Sequence, residues 1–309
     1  MDNCQQLDAI FIPSNGRIEN LLSLLKSLSW YKGSIFVLSA DKNYYNINSK
    51  NISVIDPNKT IESNFIKQLK TFGGKYSKEL LEWDLPLKRN YALLKSRTDG
   101  FKNILIIDDD ITNFNETHFN HCLSYLKYNQ IVGSLIMGFP DTSVIGHLEI
   151  LCGYKYNPFL SGSFLFINVE KSNSLFPLIY NEDWIFMIPS IANQSIISVN
   201  QVSQLIYNPF TTIRVIQQEF GEIITEGLFN LIKTNDYHSR FDSNYWDYFI
   251  DLRKSELSNL KQIAPKELRW IPQKALYLCD GIGSNNCLTF IEDWENDLNT
   301  FKTHFENEK

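Results

Sequence analysis

Three consecutive aspartates, Asp108, Asp109 and Asp110, close the apolar run Ile104-Leu105-Ile106-Ile107. Adjacent carboxylates repel, so a fold that holds three of them at the end of a buried strand needs a cation or a dense set of hydrogen-bond donors. Carboxylate oxygens suit Mg²⁺ or Mn²⁺, ions that usually complete their shells with water and substrate phosphate. A metal-diphosphate site is therefore the chemistry to expect, since capping a helix or turn would take one Asp rather than three. A second acidic pair, Glu182-Asp183 in Asn181-Glu182-Asp183-Trp184, follows a turn at Pro177 and opens an apolar stretch, where a carboxylate also suits a helix N-terminus. Arg89 carries a planar guanidinium that fits either a phosphate or the clustered carboxylates.

The elements that position these groups read as a sheet covered by helices. Leu7 to Ile12 is a buried strand ending in the turn Pro13-Ser14-Asn15-Gly16, and residues 18, 21, 22, 24, 25 and 28 follow a helical period. Ser34 to Ser39 and Asn51 to Ile55 are further strands, followed by helices over Ile61 to Leu69 and Leu87 to Lys95 with a Gly73-Gly74 break between them. Asn103 to Ile107 is the strand that delivers Asp108 to Asp110, and ligands of open α/β sheets bind outside such carboxyl ends. Beyond it, Phe119 to Tyr128 reads as helix, and Ile131 to Met137 and Ser163 to Asn168 as strands. Arg214 to Ile232 reads as a long amphipathic helix, and Gly146-His147-Leu148 as a loop. Gln218 and Glu222 share one face of the long helix, either bordering the site or facing solvent.

In chain order, five pieces resemble the GT-A fold nucleotide-sugar glycosyltransferases, and among them the family 2-like members. They are Phe11-Ile12-Pro13-Ser14-Asn15-Gly16-Arg17 before a helix, Ser39-Ala40-Asp41 closing the second strand, Leu87-Lys88-Arg89-Asn90-Tyr91-Ala92, the DxD-like Asp108 to Asp110, and Asn181-Glu182-Asp183-Trp184. The resemblance covers about residues 7 to 240. It implies a Rossmann-like, mostly parallel α/β sheet flanked by helices, with residues 1–110 forming a nucleotide-binding half and 111–240 an acceptor and catalytic half. Residues 241–309 read as a helical C-terminal extension.

By that resemblance, Asp110 binds the metal directly and Asp108 touches the ribose or reaches the metal through water. Pro13, Ser14, Asn15, Arg17, Asp41, Arg89, Asn90 and Asp109 fall to the nucleotide sugar. Asp183, with Glu182 beside it, is the catalytic segment, and Asp183 is the general base of an inverting transfer. His238, after the long helix, is a further candidate metal ligand. Small residues in Asn157-Pro158-Phe159-Leu160-Ser161-Gly162-Ser163 line the sugar. Where the family usually carries Asp-Asp-Gly-Ser, this chain has Leu38-Ser39-Ala40-Asp41.

Composition narrows the partners. The 309 residues hold 29 Lys plus Arg against 35 Asp plus Glu, a formal charge of −6. With no dense basic block, the chain is not expected to bind nucleic acid. No apolar run approaches the roughly 18 residues that span a bilayer, and the first residues lack a secretory pattern, so a cytoplasmic protein is expected, compatible with peripheral membrane contact. Five scattered cysteines suggest free thiols, with Cys279 and Cys287 the weaker alternative of a disulfide. The expected function is a Mn²⁺- or Mg²⁺-dependent glycosyltransferase using a UDP-sugar, with GDP-sugar the main competitor. The acceptor is left open among glycan, lipid-linked sugar, protein and small molecule. The alternatives are a sugar nucleotidyltransferase, disfavoured by the single glycine of Pro13-Ser14-Asn15-Gly16-Arg17, and a non-catalytic nucleotide-sugar or glycan binder.

Overall fold

The computed structural model describes residues 6–47, 49–73, 75, 76, 80 and 83–306; Cys4 and Gly74 lie outside them. Strands β1 (Ala9–Pro13), β2 (Ser34–Leu38), β3 (Ile52–Ile55) and β4 (Asn103–Ile107) alternate with helices α1 (Ile18–Ser27), α2 (Ile61–Gln68) and α3 (Leu85–Thr98). Then come β5 (Ile111–Thr112), α4 (Glu116–Leu126), β6 (Ile131–Met137), α5 (Val144–Leu151), β7 (Leu160–Asn168), α6 (Glu182–Ala192), β8 (Ile196–Gln204) and α7 (Thr212–Lys233). Helices α8 (Ser243–Ile263), α9 (Trp270–Cys279) and α10 (Ser284–Glu306) complete the chain. Among the described residues no helix is long and apolar enough to cross a membrane.

One eight-stranded sheet runs in the order β3-β2-β1-β4-β7-β6-β8-β5. The first four strands pair in parallel, as the alternation of strand and helix implies. The expected mostly parallel sheet is mixed beyond them: β7 runs antiparallel to both β4 and β6, and β5 antiparallel to β8, whereas β6 and β8 are parallel.

Successive side chains of a strand point to opposite faces, and the core divides accordingly. Ile10, Ile12, Ile35, Val37, Leu105 and Ile107 pack with Leu21 and Leu24 of α1 and Phe119 and Leu123 of α4. Phe11, Phe36, Leu38, Ile104 and Ile106 face the other way, with α2, α3 and α5 to α7. Trp246, Ile271 and Trp294 of the three C-terminal helices belong to this second cluster, so the extension shares a core with the sheet.

Two elements depart from the sequence reading. Gly146-His147-Leu148 lies within α5 rather than in a loop; Ser143 caps that helix by accepting the Gly146 N–H at 3.0 Å. Strand β8 escapes the pattern because its sequence, Ile-Ile-Ser-Val-Asn-Gln-Val-Ser-Gln, is polar and only partly buried. Gln218 and Glu222 are both buried, which excludes the solvent-facing alternative. Cys122, Cys152, Cys279 and Cys287 are free thiols, so Cys279 and Cys287 form no disulfide.

Candidate active site

Beyond the carboxyl end of β4 and the amino end of β7, which runs antiparallel to it, lies a cavity of about 550 Å³. Asp108 and Asp110 line it together with Asn15, Arg17, Arg89, Glu182 and Asp183. Residues distant in the chain converge because β1, β4 and β7 are neighbours in the sheet. The Asp108 N–H donates to the Ser163 carbonyl of β7 at 2.9 Å, and the Leu205 N–H just past β8 donates to the Asp110 carbonyl at 3.0 Å.

The three aspartates have different surroundings. Asp109 is buried away from the cavity, where it accepts the Ser14 hydroxyl proton and pairs with Arg17 at 2.5 Å. Burial pushes its carboxyl up to about 6 against the opposing pull of Ser14 and Arg17. Asp110 is also buried; one oxygen meets Arg17 at 2.7 Å and Gln204 at 3.4 Å, while Oδ1 has no hydrogen-bond partner. A buried carboxylate oxygen left without a partner is costly, and burial accordingly raises the Asp110 carboxyl above its ordinary value. Asp108 is held by Arg89, whose Nη2 lies 3.2 Å from both of its oxygens.

Arg89 is 3% exposed and links the two acidic motifs, since its Nη1 meets Glu182 Oε1 at 2.6 Å. Burial works against its charge, yet Asp108 and Glu182 hold the guanidinium above its ordinary value. Burial likewise pushes Glu182 up to about 8, against the pull of Arg89. Asp183 lies at the start of α6, where its two oxygens accept backbone protons from Gly162, at 2.5 Å, and Trp184, at 2.9 Å. Burial raises its carboxyl, which these two donors oppose. The close approach depends on Gly162: a Cβ there would lie 2.6 Å from Arg89 Cζ and 2.8 Å from Asp183 Cβ.

The remaining expected residues are placed as follows. Asn15 and Arg17 line the cavity; Ser14 stands behind them on Asp109, its Oγ also 3.2 Å from the Tyr44 hydroxyl, and Pro13 ends β1. Asp41 turns back on its own loop to accept the Asn43 N–H at 2.9 Å and is not among the lining residues. Asn90, fully buried, spends both ends of its amide on the Phe176 backbone, at 2.7 and 2.9 Å, and so holds α3 to the segment before α6. His238 sits on the short helical turn Tyr237–Phe241 and is also not among the lining residues.

The sequence reading did not single out Asp141, which lines the same cavity and accepts from Ser163 Oγ at 3.0 Å. Burial pushes its carboxyl up to about 6. A polar residue shortly after a strand's carboxyl end was the available signal. The aromatic wall is formed by Trp83, Phe159, Tyr180, Trp184 and Tyr207.

The carboxylates fit a divalent cation in their chemistry: Asp110 Oδ1 is a buried oxygen donor without a partner, and Asp108 shares its cavity. Among the described residues, no three His, Cys, Asp or Glu side chains group as a metal-holding cluster. The protein donors would therefore be few, as is usual where water and substrate phosphate complete the shell of Mg²⁺.

No family model matches the chain, and no curated protein matches it. Among solved structures it is similar to glucosyl-3-phosphoglycerate synthase from Mycobacterium tuberculosis in complex with Mn²⁺, UDP-glucose and phosphoglyceric acid. That likeness covers 72% of this chain and 78% of the other, at 15% identity and a TM-score of 0.48. The same enzyme with Mg²⁺ and UDP covers 66% and 73%, at 15% identity and a TM-score of 0.45. A mycobacterial protein covers 74% of each chain, at 13% identity and a TM-score of 0.47.

Proposed function

We propose that this protein is a metal-dependent glycosyltransferase that moves a sugar from a nucleoside-diphosphate sugar, by preference a UDP-sugar, to an acceptor hydroxyl in the cytoplasm. The observation that carries the reading is the meeting of Asp108, Asp110 and Asp183 in one cavity, with a buried Asp110 oxygen left without a partner. Asp110, with Asp108 beside it, would hold Mn²⁺ or Mg²⁺. When bound, such an ion supplies charge neutralisation for a departing diphosphate.

The chain's own residues account for the rest. Asp183 is fixed by two backbone N–H groups, so its carboxylate is oriented before an acceptor arrives. It takes the acceptor hydroxyl proton as the acceptor oxygen attacks the anomeric carbon, the sugar–diphosphate bond breaks, and its electron pair leaves with the nucleoside diphosphate. Attack from the face opposite the leaving group inverts the anomeric carbon. Arg89 keeps Asp108 and Glu182 in register, and the aromatic wall offers faces on which a sugar ring stacks.

The test is a thermal-shift panel of UDP, GDP, CDP and ADP, each with and without Mn²⁺, on wild type, Asp110→Ala and Asp183→Asn. A ligand at 100 times its Kd adds about 2.7 kcal/mol of apparent stability. The expected result is a UDP-selective, Mn²⁺-dependent shift that Asp110→Ala abolishes and Asp183→Asn keeps, with donor turnover lost in Asp183→Asn. Absence of any nucleotide shift in the wild type, or full turnover in both variants, refutes the assignment.

A further inference from the structure

Glu222 of α7 ties together both walls of the cavity. Its Oε1 accepts from Asn181 Nδ2 at 2.8 Å, and its Oε2 accepts from Ser143 Oγ at 2.9 Å. Asn181 immediately precedes Glu182-Asp183 and has φ +60 and ψ 33, a left-handed conformation uncommon for a residue with a side chain. Such a conformation persists only where its surroundings impose it. Here Glu222 and Thr225 Oγ1, at 3.1 Å, are the groups that hold the Asn181 side chain. Ser143 is the cap of α5 and stands two residues after Asp141. Gly221 permits the approach, because a Cβ there would lie 2.8 Å from the Tyr180 carbonyl carbon.

With one oxygen on each wall, Glu222 bridges the Asn181 and Ser143 segments through a single carboxyl group. Glu219 and Glu226 lie about one turn away on the same face of α7. The cation that joins these three side chains comes from the C-terminal helices. Arg253 of α8, 4% exposed, donates to Glu219 at 2.9 and 3.3 Å, to Glu226 at 3.1 Å and to Glu222 Oε2 at 3.4 Å.

We propose that Arg253 is a positioning residue of the cavity: from the C-terminal helices it holds the Glu222 side chain in place, and Glu222 in turn fixes Asn181 and Ser143, and with them the segments that carry Asp183 and Asp141. The catalytic consequence rests on the glycosyltransferase reading; the structural one does not. The C-terminal helices are thereby part of the site.

The experiment uses the full chain with Arg253→Met, Arg253→Lys and Glu222→Gln, and measures amide hydrogen exchange in peptides spanning 143–149 and 181–187. Expected for Arg253→Met and Glu222→Gln is at least tenfold faster exchange in both peptides, with β1 and β4 unchanged and Arg253→Lys largely restored. The apparent Kd for Mn²⁺-UDP should stay within twofold while turnover of UDP-glucose falls at least tenfold. Unchanged exchange in both peptides, or equal acceleration across every strand, overturns the proposal. If Arg253→Met does not fold, Glu222→Gln and Arg253→Lys decide it by the same exchange readout. Failure of the wild type to bind Mn²⁺-UDP would instead refute the functional reading, with the exchange data still deciding the positioning role.

Discussion

Gly162→Ala is a one-carbon perturbation of the contact between Arg89, Asp183 and β7. The Gly162 φ lies outside the left-handed region, so alanine carries no backbone penalty and the whole effect is steric. Ordinary carbon–carbon contacts are about 3.5 to 4.0 Å, whereas the new methyl would lie 2.6 Å from Arg89 Cζ and 2.8 Å from Asp183 Cβ. One or both groups must therefore retreat by about 1 Å, and neither is free to: Arg89 is held by Asp108 and Glu182, and Asp183 by the Gly162 and Trp184 amides. Overpacking of this kind costs about 1 to 3 kcal/mol, and a 1 Å misplacement of reacting groups can cost about 100-fold in rate. Urea unfolding reads the first quantity. Turnover of the donor selected by the nucleotide panel reads the second. Gly281→Ala, whose methyl would meet only a carbonyl at 3.5 Å, is the control. Wild-type stability together with wild-type turnover in Gly162→Ala would refute the geometry argued for Arg89 and Asp183.

Two further outcomes are expected. The Asp141 carboxyl is raised by burial to about 6 in the folded chain, against about 3.9 unfolded. The folded state therefore holds its proton longer, and stability is lost as pH rises from about 4 to 6, by about 3 kcal/mol for two pH units. Asp141→Asn removes that decline, so urea unfolding at pH 4, 5, 6 and 7 should give a flatter profile than wild type, and parallel profiles would contradict the assignment. Arg17, half exposed, pairs with both Asp109 and Asp110, so Arg17→Ala leaves two buried carboxylates without that cation. The variant should melt lower in chelator and gain more from Mn²⁺ than wild type does; a tenfold gain in metal affinity corresponds to about 1.4 kcal/mol. Equal Mn²⁺ shifts in the two proteins would count against Asp110 as a metal donor.

Much of the first half of this fold is written locally. The apolar runs at 9–13, 34–38 and 103–107 alternate with helical periods, and that alternation alone implies parallel pairing through crossovers. The Asp108 to Asp110 cluster is legible for the same reason: its chemistry and its place at a strand's end are both contained in seven consecutive residues. Tertiary structure decided what those carboxylates do. The guanidinium of Arg89 suits the clustered carboxylates by its chemistry, but nothing near it in the chain indicates that it would join Asp108 to the distant Glu182, nor that Asn90 beside it would be spent on Phe176. Strand β8 is polar in its own sequence and becomes a strand by pairing with β6 and β5. The antiparallel insertion of β7 brings Ser163 to Asp108 and Gly162 to Asp183, a choice between neighbours that no hydrophobic period encodes. Asp141, Glu222 and Arg253 are likewise single polar residues far apart in the chain, and only packing places the first two on one cavity and brings Arg253 to Glu222. Periodicity records which face of an element is buried; which charges meet across the buried space depends on how separate elements dock, and a linear sequence carries that information only jointly.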